Sequence, residues 1–176
     1  MDIEEKYKKV EKYILGETGE EFICINEEDN QKIAVSMIQQ AEFHLDILSY
    51  YFDPDVYDTH ECCEAIEDLA LRSRHSRIRI LLHDSKTVSQ RGHLVLYLGK
   101  RLGSLMQFRN VAEVHKSIPD TFMIVDGIGV MHRPHTDTLA ATVNFKDRPK
   151  SKELSQLFEK IWADAEPDPN ARDIVI

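Results

Sequence analysis

Long hydrophobic runs are missing from this chain: no window of its 176 residues approaches 18 consecutive apolar positions, so no helical membrane span is expected. Cysteine is scarce as well. The 3 cysteines include the adjacent pair Cys62 and Cys63, which cannot build a disulfide framework, and a reducing, cytoplasmic setting is the expectation. Paired Cys-x-x-Cys spacing is absent, and the two partial ligand sets, His60-Glu61-Cys62-Cys63 and His132-x-x-His135-x-Asp137, fall short of a zinc module. Neither a metal nor a cofactor is expected. The opening MDIEEKYKKVEKY is too charged for a signal peptide. There is no repeat, low-complexity tract or interdomain linker, which leaves one compact domain.

What the chain has in plenty is charge, unevenly spread. The formal total is −9, yet residues 1–70 hold 5 basic and 19 acidic groups while residues 71–150 hold 14 and 6. An acidic total argues against non-specific binding to nucleic acid or to membrane surfaces. The basic middle, from Arg72 to Arg109, is where an anionic ligand is expected, but it lacks the interleaved aromatics of a single-strand groove. Charges of both signs that pair across the fold would explain it equally well.

Periodicity supplies the elements. Tyr7, Val10, Tyr13 and Ile14 predict a short amphipathic helix before Gly16, and residues 22–25 a strand. Asp29 is placed to cap a helix burying Ile33, Met37 and Ala41, and the alternation over residues 43–48 predicts a central strand. Asp58 with Glu61 has capping-box spacing for a helix over 59–74 whose apolar stripe is Cys62, Ile66 and Leu69, which makes Cys62 a core residue. A buried strand over 78–82 precedes a helix marked by Leu94, Val95, Leu98 and Leu102, which Gly103 stops. Further strands are predicted over 105–108, 122–125, 128–131 and 139–145, with a tight antiparallel turn at Gly127. A last amphipathic helix over 149–164 has its apolar face made by Leu154, Leu157, Phe158, Ile161 and Trp162. This order predicts an α/β fold with a mixed parallel and antiparallel sheet flanked by helices, divided into an N-terminal extension over 1–28 and an α/β domain over 29–176.

The run Thr121-Phe122-Met123-Ile124-Val125-Asp126-Gly127, followed by Ala141-Thr142-Val143-Asn144-Phe145, resembles the phospholipase D superfamily. The likeness extends over roughly residues 30–165, one structural half, and is closest to bacterial stand-alone domains. Active members carry a His-x-Lys-x-x-x-x-Asp motif and a later Gly-Ser-x-Asn motif. Asp126 then stands at the motif's Asp, Thr121 at its Lys and Pro119 at its nucleophilic His, while Ala141-Thr142 replaces Gly-Ser and Asn144 remains. Proline offers no nucleophile and threonine no charge, so the covalent route of the family and its charge stabilisation are both lost. On a strand His115-Lys116 would not replace them, because adjacent strand residues point to opposite faces, unlike the family's i, i+2 pair, although a loop there could rearrange them.

The resemblance implies a catalytically degenerate binding or interaction module, with Asp126 and Asn144 vestigial. A phosphate-bearing small ligand would be held by His132, Arg133, Thr142 and Asn144, the guanidinium gripping it bidentately. A lone half-site also implies a homodimer. Two other readings remain open: an altered phosphodiesterase or nucleotide-processing enzyme, and a nucleic-acid-binding module.

Overall fold

In a computed structural model, which describes Val10 and residues 12–169, the chain builds a mixed eight-stranded sheet with helices on both faces. The predicted helix at Tyr7 lies largely outside the described residues. In chain order the first half runs β1 (Phe22–Cys24), α1 (Glu27–Gln39), β2 (His44–Ser49), α2 (Pro54–Tyr57), α3 (His60–Arg72) and β3 (Arg77–Leu82). The second half runs α4 (Ser85–Arg91), α5 (Leu94–Leu102), β4 (Met106–Asn110), β5 (Thr121–Val125), β6 (Gly129–Arg133), β7 (Ala141–Asn144), α6 (Arg148–Asp164) and β8 (Glu166–Pro167).

Across the sheet the order is β1-β7-β6-β5-β2-β3-β4-β8. The helical crossovers make β2, β3 and β4 parallel, whereas β5 runs antiparallel to β2 and continues into the β6 and β7 meander. One edge of the sheet therefore gathers the carboxyl ends of β2, β3, β4 and β6 with the start of β5. The opposite edge gathers the start of β2 and the end of β5.

Two apolar layers hold this arrangement. Ile33 and Met37 of α1 and Ile66 and Leu69 of α3 bury one face against Ile47 and Ile80, while Phe158 and Trp162 of α6 cover Leu48, Leu81 and Phe122 on the other. Each fully buried side chain of this size contributes about 1.5–3 kcal/mol of transfer free energy. Cys62 lies in the first layer, with burial pushing its thiol up to about 12.

The α6 layer also encloses charge. Arg79 of β3 donates to both carboxylate oxygens of its register partner Asp46 on β2, at 2.8 and 2.9 Å, and to Glu159 of α6 at 2.6 Å. Its guanidinium lies 4.8 Å from the Phe158 ring and 5.3 Å from that of Trp162. These contacts replace the water that burial removes.

Two helix starts differ from expectation. α1 is capped by Asn26, whose side chain accepts from the Asp29 backbone N–H at 2.8 Å. α3 is capped by Thr59, because Asp58 instead accepts the Leu94 backbone N–H at 2.7 Å and fixes the start of α5. The sequence pattern missed α2 and α4, the two shortest helices, and β8, the shortest strand.

Candidate functional site

The β5–β6 hairpin turns through Asp126 (φ 52°) and Gly127 (φ 64°), both in the left-handed region that a two-residue type I′ turn requires. The Asp126 carboxylate accepts three backbone N–H groups, from Glu42 at 2.7 Å, Phe43 at 2.9 Å and His44 at 2.7 Å. It is thus a clamp between the hairpin and the start of β2. Thr121 and Pro119 lie at the other end of β5, on the opposite edge of the sheet.

That opposite edge carries a cleft of about 460 Å³. Tyr50 and Tyr51, just past the end of β2, form part of its wall; Lys116, Ser117 and Pro119, just before β5, form another, and His135 and Thr136 from the β6–β7 loop close it. Thr136 Oγ1 donates to the Pro119 carbonyl at 2.8 Å and lies 3.5 Å from Thr121 Oγ1, which fastens that loop over the start of β5. Open sheets of this kind place ligands outside the carboxyl ends of their parallel strands, where the strand order reverses.

His115 and Lys116 are not on a strand but in and just after a 3-10 turn over Glu113–His115. His115 is buried and its Nε2 lies 2.7 Å from Asp164 Oδ2, so it belongs to the α6 contact. Lys116 lines the cleft and donates its ammonium to the His83 carbonyl. The His83 ring, only 6% exposed, stacks parallel on Tyr50 with centroids 5.0 Å apart. Neither of its ring nitrogens has a hydrogen-bond partner among the described residues. Burial, helped by the Lys116 charge, lowers its pKa to about 4, so the ring is neutral near pH 7. An orphaned buried polar group costs about 1–3 kcal/mol, so a fold that retains one calls for an explanation.

Beside the cleft, Arg133 is buried and pairs with Asp53, and it also reaches the Thr138 carbonyl at 3.4 Å. It joins the loop after β2 to the loop after β6. Phe52, in the same β2 loop, has a left-handed backbone (φ 52°). Three contacts hold it there: its N–H donates to Ser49 Oγ at 3.0 Å, its ring stacks on His93 at 4.3 Å, and His93 Nε2 lies 3.0 Å from its carbonyl. Because His93 Nδ1 accepts the Val95 N–H at 3.2 Å, Nε2 is the donor to that carbonyl.

The four residues expected to share a ligand do not all meet. His132, Thr142 and Asn144 line a separate cleft of about 360 Å³ beside α6, together with Lys150. Arg133 follows His132 directly in β6, and consecutive strand residues face opposite sides of a sheet, so its guanidinium is on the far side with Asp53. His132 Nε2 is 2.8 Å from Asp120 Oδ1, and Asn144 donates to the Gly19 carbonyl at 3.4 Å while accepting the Lys146 N–H at 2.9 Å. Among the described residues, no group of three or more His, Cys, Asp or Glu side chains is placed to hold a metal, and no helix is long and apolar enough to cross a membrane.

Much of the basic middle serves the fold. Beyond Arg79, Arg109 lies 4.2 Å from the Trp162 ring and donates to its carbonyl at 3.0 Å, Arg101 pairs with Glu67, and Arg72 and Arg91 donate to the carbonyls of Ala41 and Tyr51.

The architecture is that of the phospholipase D family. Nuc from Salmonella typhimurium, a member of that family, superposes with a TM-score of 0.59 at 12% identity, covering 88% of this chain and 100% of its own. NucT from Helicobacter pylori gives 0.62 at 13% identity, covering 85% and 99%. TrmBL2, an archaeal chromatin protein whose structure shows a novel mode of DNA binding, gives 0.62 at 12% identity over 84% of this chain, which spans only 53% of TrmBL2. Identities this low establish the fold alone. By sequence, the chain belongs to the family described as a domain of unknown function, DUF7931, whose model matches residues 26–174. Comparison with curated proteins finds no match.

Proposed function

We propose that the chain is a phospholipase D-like binding module that holds a phosphate-bearing small ligand at the carboxyl edge of its parallel strands without cleaving it. The observation that carries this reading is the content of the 460 Å³ cleft: Pro119 lines it where the resemblance puts a nucleophilic histidine, while Lys116 and His135 supply groups that attract an anion beside the carboxylate of Asp137. Thr121, where the resemblance puts a lysine, is 3% exposed and uncharged. An anion seated beside Lys116 would meet a cation and the hydroxyl of Ser117, but no group at position 119 to attack phosphorus. The same reading expects a homodimer, since one chain carries one such edge.

Calorimetric titration with inorganic phosphate, alongside a turnover assay on bis(p-nitrophenyl) phosphate, tests it. Phosphate is expected to bind, with about tenfold loss in Lys116→Met for one charge-assisted contact. No p-nitrophenol release is expected. Turnover that Lys116→Met removes would replace this reading with that of an altered phosphodiesterase, and absence of phosphate binding would remove it altogether.

A further inference from the structure

Tyr50 lines the cleft, and the His83 ring stacks on it. We infer that the His83 imidazole is a concealed part of the ligand site, covered by the Tyr50 ring, and that it recognises a hydroxyl of the phosphate ester held there. The inference rests on reading the cleft as a phosphate site.

Three observations meet at this point. Tyr50 is a wall of the cleft on one side and a parallel lid over His83 on the other, 5.0 Å between centroids. Lys116, which would hold the phosphate, donates to the backbone carbonyl of His83 itself, so anion and imidazole are brought to the same residue. Both His83 ring nitrogens lack hydrogen-bond partners among the described residues although the ring is almost completely buried.

The chemistry of the ring then selects the ligand. A neutral imidazole presents one N–H donor and one bare acceptor nitrogen. At whichever nitrogen the ligand reaches, a phosphate or carboxylate oxygen serves only the N–H and an ammonium only the bare nitrogen, whereas a hydroxyl serves either, accepting from the one or donating to the other. The neutral state is secured by burial and by the adjacent Lys116 charge. Tyr50 is partly exposed, and rotamer changes of such side chains are fast, so displacing the lid is no kinetic obstacle.

Glycerol 3-phosphate and n-propyl phosphate differ in the hydroxyls alone and are the probes, titrated calorimetrically into the full chain. Glycerol 3-phosphate is expected to bind about fivefold more tightly, the worth of one net hydrogen bond. His83→Phe keeps a ring to stack on Tyr50 and should erase that preference without weakening n-propyl phosphate, whereas Lys116→Met should weaken both esters alike. A preference that survives His83→Phe, or none in the unmodified chain, overturns the role of His83 and leaves the phosphate site standing. If neither ester binds, the phosphate site itself fails and takes the inference with it. The ¹⁵N resonances of the His83 ring in the unmodified chain give a readout independent of any variant's folding: glycerol 3-phosphate should shift them and n-propyl phosphate should not. Equal shifts with both esters would overturn the inference.

Discussion

Replacing Asp126 separates a vestigial catalytic group from a structural clamp. Its carboxylate accepts three backbone N–H groups at 2.7–2.9 Å, and its backbone lies at φ 52°. Hydrogen bonds to a charged acceptor contribute about 1.5–3 kcal/mol each when buried, and these are largely exposed, so about 1 kcal/mol apiece is the appropriate scale. Asp126→Ala should therefore cost about 3 kcal/mol from lost bonds and about 1 kcal/mol more from holding an alanine in the left-handed region. Asp126→Gly carries no such strain, so it should be less destabilising than the alanine variant by that last increment. For a domain of this size 1 kcal/mol moves Tm by roughly 2–4 °C, which puts the alanine variant about 8–16 °C below the parent. Scanning calorimetry with urea titration measures the loss, and phosphate titration measures the cleft. Since Asp126 and the cleft occupy opposite edges of the sheet, phosphate affinity should hold at temperatures where the variant is folded. An unchanged Tm, or a folded variant that loses phosphate binding, would refute the clamp.

Two further outcomes follow from buried charge. Arg79→Met strands Asp46 inside the α6 layer and should cost about 3–5 kcal/mol in urea denaturation, while the double variant Asp46→Leu, Arg79→Met should recover most of it; a double variant as unstable as the single one would show that the cost lies in packing around Phe158 and Trp162. His83 should make stability depend on pH: its folded value of about 4 lies below the ordinary 6.5, so as pH falls the unfolded chain binds the proton first. Its contribution is complete above pH 6.5 and drains away between 6.5 and about 4, by roughly 3 kcal/mol, and a His83→Phe chain with an equally steep decline over that range would refute it.

The strands were legible because buried strands write themselves as apolar runs and the hairpin writes itself as Asp126-Gly127. The helix caps were legible only to within one to three residues, Thr59 for Asp58 and Asn26 for Asp29. Asp58 and Thr59 are both competent caps, and the choice between them depends on Leu94, 36 residues away, which takes the aspartate. The Asp46–Arg79 pair spans 33 residues across parallel strands, and no local pattern announces it. The separation of His132 from Arg133 was available from strand alternation alone, the rule that set His115 against Lys116, where the chain turns out to coil into a 3-10 turn. The stacking of His83 on Tyr50 beside the cleft is not legible locally, because the two are far apart in sequence. What marks them is position: each is the first residue after a central parallel strand.

The placement of β1 bears on how this family should be delimited. β1 pairs antiparallel with β7, Phe22 opposite Val143 and Cys24 opposite Ala141, and the Phe22 ring stacks on Tyr13 at 4.5 Å. The family match opens at residue 26, just past this strand. A fragment cut there would shed the strand that satisfies the outer rim of β7, leaving its N–H and C=O groups as a template for a strand from another molecule. Such a fragment should pair edge to edge through β7, which β1 covers in the longer chain, so any assembly it forms beyond the homodimer expected of that chain would describe the cut and not the protein.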